Sequence, residues 1–119
     1  MHGQPRQSDR PVVRRVLFVC GKNRRRSPTA EAIFSGQSGL EVSSAGTAAD
    51  ADCPVNGDLI EWADTILVME SRHLRQLRKQ FGSLLGGKQM ISLDIPDRYE
   101  LMQPELVELL QSRVPPRLR

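Results

Sequence analysis

Apolar residues along the chain fall into short runs separated by spaced stripes. VLFV (16–19), TILVM (65–69) and KQMISL (88–93) are near-continuous apolar runs, the pattern of strands buried on both faces. LEVSSA (40–45) is more mixed and predicts a strand towards a sheet edge. The stretches between the runs carry helical signals. SPTAEAIFSG predicts a helix with Ser27 as its N-cap and Pro28 at the first helical position. PVNGDLIEWA (54–63) predicts a poorer helix, interrupted by Gly57. In SRHLRQLRKQFGSLL, Leu74, Leu77, Phe81 and Leu84 recur at spacings of three and four, and Gly86-Gly87 marks the stop. PELVELLQSRV opens with Pro104, puts Leu106, Leu109, Leu110 and Val114 on one stripe, and is expected to end at Pro115-Pro116.

Strand and helix thus alternate four times with short connections. The fold class expected is α/β: a three-layer sandwich with a four-stranded parallel sheet and helices on both faces. In such folds ligands bind outside the carboxyl ends of the strands, commonly at a helix N-terminus.

Composition narrows this picture. At 119 residues the chain is expected to be one domain. Its 39% hydrophobic and 26% charged residues fall within the range of ordinary soluble globular chains. The net charge of +3 suggests nucleic acid until it is located. Residues 1–15 hold four arginines and one aspartate, and the remainder balances at thirteen cations and thirteen anions. The basicity belongs to the leading segment, so a general polyanion-binding face and a specific nucleic-acid partner are not expected. Residues 1–13 read as a flexible basic tail and 14–119 as the single folded domain. No run approaches the roughly 18 apolar residues of a membrane span, and MHGQPRQSDRP lacks the apolar stretch of a secretory signal. A cytoplasmic location without membrane association follows as the expectation. Cys20 and Cys53 read as thiols, and neither is spaced with His2 or His73 as zinc ligands are.

The candidate chemistry lies where the first apolar run ends. Cys20 is followed by Gly21, Lys22, Asn23, Arg24, Arg25, Arg26 and Ser27, and then by the helix. A loop of this length between strand and helix can turn its backbone N–H groups inward, forming a nest that binds a tetrahedral dianion such as phosphate or sulfate. The same positive environment favours the thiolate, the nucleophilic form of cysteine. Arg26 would clamp two phosphoryl oxygens with its planar fork. Ser27 could donate a hydrogen bond to the thiolate, and Asn23 tolerates a left-handed backbone. Against this stand plain alternatives: a cysteine after an apolar run is commonly a small buried hydrophobe, and an arginine cluster a solvated face.

V-L-F-V-C-x-x-N-x-x-R-S-P-x-A-E resembles the signature of the low-molecular-weight protein tyrosine phosphatases. SSAGT (43–47), WADTILVMESRHLRQL (62–77) and IPDRY (95–99) are similar to later blocks of that family, in the same order. The resemblance implies a cysteine-dependent phosphomonoester hydrolase, a protein tyrosine phosphatase with no metal or organic cofactor. Its partners would be a phosphorylated protein or a small aryl phosphate. It further implies that Cys20 attacks phosphorus and forms a phosphocysteine, and that Arg26 binds the phosphoryl group. Asp97 would be the general acid and then the base, with Asp94 capping or orienting its loop, and Tyr99 would stack on an aryl leaving group. Residues 21–25 with Ser27 would complete the phosphate loop, and Trp62 would belong to the core. The chain departs from the family pattern at Lys22, where glycine is usual, at Arg25, where a second cysteine is common, and at Arg98, where proline is usual. It also lacks an aromatic between SSAGT and Trp62. These departures leave two other readings: a non-catalytic binder of phosphate or phosphoproteins whose loop is distorted by Lys22, and a thiol-based arsenate reductase on the same fold.

Overall fold

The run RRVLFVC forms β1 (Arg14–Cys20), and its apolar residues divide between the two faces of a sheet. Val16, Phe18 and Cys20 point to one core, Leu17 and Val19 to the other, and all five are buried. A strand in the middle of a sheet needs this continuous apolar run, because neither face meets water. The computed structural model describes residues 13–118, so the expected tail lies outside the described residues except for Val13.

The sheet is four-stranded and parallel, in the order β2-β1-β3-β4, with β2 (Leu40–Gly46), β3 (Thr65–Val68) and β4 (Gln89–Ser92). As expected from its mixed composition, β2 is an edge strand. Register sets Cys20 opposite Gly46 and Val19 opposite Val68, so the ends of β1, β2 and β3 meet at one carboxyl edge. Beyond β4 the chain stays on β3: the N–H groups of Leu93 and Ile95 donate to the carbonyls of Val68 and Met69 at 2.8 Å each. This carries residues 94–97 towards the same edge.

Helices α1 (Arg26–Phe34) and α4 (Pro104–Arg117) cover one face, burying Ala30, Phe34, Leu106, Leu110 and Val114 with Phe18 and Leu67. Helices α2 (Gly57–Trp62) and α3 (Ser71–Phe81) cover the other, where Ile60 and Leu77 meet Leu17, Val19, Ile66 and Val68. Trp62 packs against this second core, as expected.

Four helix boundaries differ from the pattern reading. Ser27 is not the N-cap of α1; the cap position is Arg25, and Ser27 lies inside the first turn with its hydroxyl turned towards Cys20. Gly57 does not interrupt α2 but begins it, because Asn56 caps the helix by accepting from the N–H of Leu59 at 2.8 Å. Helix α3 ends at Phe81 and a 3-10 turn, Gly82–Leu85, follows. The tighter turn rotates the stripe, so that Leu85 is buried and Leu84 exposed. Helix α4 runs through Pro115 and Pro116 to Arg117. Burial of Val114 and the packing of Leu118 on the α1–α4 core hold that last turn despite its missing N–H donors.

Candidate active site

Cys20 ends β1 and is buried, yet its side chain forms part of the floor of a cleft of about 420 Å³. The loop that follows is shaped by where its carbonyls go. Those of Cys20, Gly21 and Lys22 accept from the N–H groups of Thr47, Ala48 and Asp52 at 2.9, 3.0 and 3.0 Å. A trans peptide points its N–H opposite to its C=O, so the N–H groups of Gly21, Lys22 and Asn23 face the inside of the loop. That of Asn23 donates to Cys20 Sγ at 3.2 Å. The cap residue of α1, Arg25, makes no side-chain cap, which leaves the first-turn N–H groups of the helix to an anion.

Two local features make this loop possible in a chain with Lys22 in place of glycine. Asn23 takes the left-handed conformation, with φ of 57°, so the residue that must turn is the one that tolerates turning. Lys22 reaches outward to the Asp50 carboxylate at 2.6 and 2.7 Å. The loop also rests on Gly46, which explains the glycine of the SSAGT block. A Cβ there would lie 2.5 Å from the Gly21 carbonyl oxygen and 2.6 Å from Ala51 Cβ, so the loop packs directly on bare backbone.

Polar contacts around the thiol are ordered. Asn23 Nδ2 donates to Ser27 Oγ at 2.9 Å, which leaves the Ser27 proton for Cys20 Sγ at 3.0 Å rather than for the Ala45 carbonyl at 3.4 Å. A thiolate at Cys20 therefore receives two donors, one from backbone and one from a hydroxyl.

Arg26 is buried at the base of the cleft. Its Nη1 donates to Glu70 Oε2 at 2.5 Å and to the Ile95 carbonyl at 2.7 Å. That leaves Nε and Nη2, the two parallel donors that match a pair of phosphoryl oxygens. Asp97 Oδ1 stands 3.8 Å from Nε and lines the cleft with Cys20. Asp94 lies elsewhere, in a left-handed turn (φ 57°) where its Oδ1 accepts from Ser92 Oγ at 2.8 Å. Arg113 of α4 clamps that turn through the Leu93 and Asp94 carbonyls at 2.8 and 2.7 Å.

Cys20, Gly21, Lys22, Arg24, Arg25, Arg26 and Asp97 are brought together at the cleft, with Asn23 and Ser27 behind them. Tyr99 is not. It is half-buried against the α1–α4 core, with the Arg98 guanidinium carbon 5.8 Å from its ring centre. Among the described residues no aromatic side chain lines the cleft, whose remaining wall is Thr47, Ala48, Arg72 and Gln76. Cys53 is exposed and outside that lining.

The pattern reading missed Glu70 and His73. Glu70 accepts from Arg26 and, at 3.2 Å, from Arg72 Nη2. Those donors, Arg72 first, outweigh partial burial and hold its pKa at about 2. His73 is fully buried; its Nδ1 accepts the Glu70 N–H at 3.1 Å, which fixes the proton on Nε2. Nε2 has no partner among the described residues and faces Gly21, 3.8 Å from where a Cβ there would sit. Burial, then the nearby Arg26 and Arg72 charges, lower its pKa to about 4. The spacing Glu70-x-x-His73 at a helix start is a capping pattern, and was the available signal.

A parallel α/β sheet whose first strand delivers a cysteine into a Cys-x5-Arg anion loop, with an aspartate opposite, defines a cysteine-dependent phosphatase. Comparison with known proteins supports the same class. The family model described as low molecular weight phosphotyrosine protein phosphatase matches residues 15–61, from β1 through the loop into α2. The YwlE arginine phosphatase from Geobacillus stearothermophilus is similar in structure, with a TM-score of 0.70 and 26% identity, over 88% of this chain and 92% of that one. The tyrosine phosphatase Wzb from Escherichia coli K30, in complex with phosphate, has a TM-score of 0.68 and 23% identity over 86% and 94%. The low molecular weight protein tyrosine phosphatase from T. tengcongensis has 0.65 and 23% over 83% and 91%. No curated protein matches the chain. The resemblance to the low-molecular-weight phosphatases read from the sequence is borne out.

Proposed function

We propose that the protein hydrolyses phosphotyrosyl proteins and small aryl phosphates in two displacements at Cys20. The observation that carries this is the thiol of Cys20, held by Asn23 N–H and Ser27 Oγ on the floor of the cleft that the Arg26 fork faces. In the first step the thiolate attacks phosphorus, the P–S bond forms as the P–O bond to the aryl group breaks, and Asp97 protonates the departing oxygen. In the second, Asp97 takes a proton from water as the water oxygen attacks phosphorus. The P–S bond breaks, inorganic phosphate forms, and the thiolate returns to its two donors. Charge on the phosphoryl oxygens is met by the loop N–H groups and by Arg26 Nε and Nη2. Proton transfer by a placed carboxyl is worth about 10²–10⁴ in rate. Phosphate or sulfate is expected in the loop as product or competitor. The reading includes a cytoplasmic location, where reductants keep a thiol nucleophile reduced.

Selection of Asp97 over Asp94 rests on its place in the cleft and on the commitment of Asp94 to Ser92. The non-catalytic alternative needed Lys22 to distort the loop, whereas Lys22 is paired outward with Asp50 and Asn23 makes the turn. The reductase alternative needs a cysteine that can reach Cys20, and the exposed Cys53 lies outside the cleft lining.

Steady-state hydrolysis of an aryl phosphate tests the proposal. The full-length protein should turn over, and Cys20→Ser should lose about 10³-fold or more, because no comparable nucleophile stands in its place. Acid quench during turnover should trap phosphate on the Cys20 peptide. Undiminished turnover by Cys20→Ser would refute the mechanism.

A further inference from the structure

The rim of the cleft is more cationic than the chain around it. Lys22, Arg24 and Arg25 from the loop and Arg72 from α3 line it, above the committed Arg26, and among the described residues Asp97 is the one acid in the lining. Each rim cation has a carboxylate partner. Lys22 pairs with Asp50 at 2.6 Å, Arg24 with Asp52 at 3.1 Å, Arg25 with Glu100 at 3.7 Å and Arg72 with Glu70 at 3.2 Å. Asp50, Asp52, Glu70 and Glu100 do not line the cleft. All four rim side chains are about half exposed, between 50% and 54%. The pairs of Lys22, Arg24 and Arg25 are exposed on both sides, so they hold weakly and exchange readily with another carboxylate, whereas the partly buried Glu70 keeps its hold on Arg72. A guanidinium carries five donors, so Arg24, Arg25 and Arg72 keep N–H groups for the cleft side even while paired. Among the described residues the rim has no aromatic wall, with Tyr99 packed against the core, so it offers little to an extended apolar flank.

We infer that the rim is an accessory anion subsite, and that the preferred substrate is a phosphopeptide with carboxylate side chains flanking the phosphorylated residue. This deepens the phosphatase reading and rests on it for the phosphoryl-binding loop. The loop takes the phosphoryl group, while flanking Asp or Glu side chains exchange with the carboxylate partners of Lys22, Arg24 and Arg25 and accept from the donors Arg72 keeps beyond Glu70. Basic flanks meet four like charges. Phosphoarginine, the substrate class in the name of the Geobacillus relative, keeps a guanidinium beside the phosphoryl group and meets the same repulsion.

The test separates binding from turnover. Full-length protein carrying Cys20→Ser is titrated with fluorescent phosphotyrosyl peptides of one length whose flanks are acidic, neutral or basic, and with the acidic peptide lacking phosphate. At low ionic strength the acidic phosphopeptide should bind about five- to tenfold tighter than the neutral one, as expected for two or three exposed charge pairs. Arg72→Gln and Arg24→Gln should each reduce that ratio by about twofold, and salt should compress it. The ratio is read within each variant, so a general loss of affinity does not enter. Equal affinity for all three flanks, tighter binding of the basic one, or equal binding of the unphosphorylated acidic peptide would overturn the inference. Turnover of the same peptides by the unsubstituted protein reports separately on the phosphatase reading: hydrolysis without flank preference leaves that reading standing, and flank-dependent binding without hydrolysis removes it.

Discussion

Replacing Gly46 with alanine puts a methyl group where the phosphate loop rests. The added Cβ would sit 2.5 Å from the Gly21 carbonyl oxygen, 2.6 Å from Ala51 Cβ and 3.0 Å from the Asn23 nitrogen, whereas ordinary contact begins at 3.4 Å. Two of these three atoms are loop backbone, so a rotamer change cannot relieve them. The Gly21 carbonyl is also held by the Ala48 N–H at 3.0 Å. The backbone of Gly46 is one that alanine adopts, so the whole effect is steric. Overpacking of this kind costs about 1–3 kcal/mol, a fall in Tm on the order of 5–10 °C for a chain of this size. Relief requires the loop to retreat by close to an ångström, and a reacting group misplaced by about 1 Å can lose about 10² in rate. The assay is kcat for an aryl phosphate together with thermal unfolding, with Gly82→Ala as the matched control. None of the described residues lies within 4 Å of a Cβ at Gly82, so that variant should keep its activity and its Tm. If Gly46→Ala matches Gly82→Ala in both measurements, the loop does not depend on the close approach seen here.

Asp97→Asn should slow hydrolysis of phenyl phosphate by about 10²-fold or more, and that of a substrate with a strongly acidic phenol far less. Asp94→Asn should show no such leaving-group dependence, and the reverse pattern would move the acid to Asp94. Glu70→Gln removes the charge that turns the Arg26 fork towards the cleft, and kcat/KM should fall about 10- to 100-fold, as for loss of a charged hydrogen bond. With a pKa of about 2 against an ordinary 4.5, the Glu70 carboxylate stabilises the fold above pH 4.5, and this is lost as pH falls towards 2. Urea titrations of Glu70→Gln should show a flatter stability profile over that window, and an unchanged profile would remove the assignment. His73 has its pKa lowered from 6.5 to about 4, so only the unfolded chain takes up its proton between those values. Stability should therefore be full above pH 6.5 and decline towards pH 4, by roughly 2 kcal/mol at pH 5. His73→Gln should lose that slope, and a variant as pH-dependent as the parent would show that His73 is not its source.

The alternation of apolar runs and amphipathic stripes was sufficient for the parallel sheet, because a central strand such as β1 must be apolar on both faces and a covering helix on one. The loop from Cys20 to Arg26 was equally legible, since its chemistry is local: one strand end, one helix start and seven consecutive residues. Helix ends were less so. Ser27 reads as an N-cap in any local scheme, and it gives up that role only because Cys20 and Asn23, brought beside it by the loop, compete for its hydroxyl. Tyr99 likewise fits a substrate wall by its place in IPDRY, but the apolar surface between α1 and α4 takes its ring instead. Glu70, Gly46 and Asp97 lie 44, 20 and 71 positions along the chain from Arg26, and no spacing rule connects them. Strand register and the extension beyond β4 bring all three to one edge. Charge follows the same division. The chain beyond residue 15 is balanced in sequence. The fold turns the cations of the loop and of α3 towards the cleft and their carboxylate partners away from it, because side-chain direction is set by backbone that only packing can place.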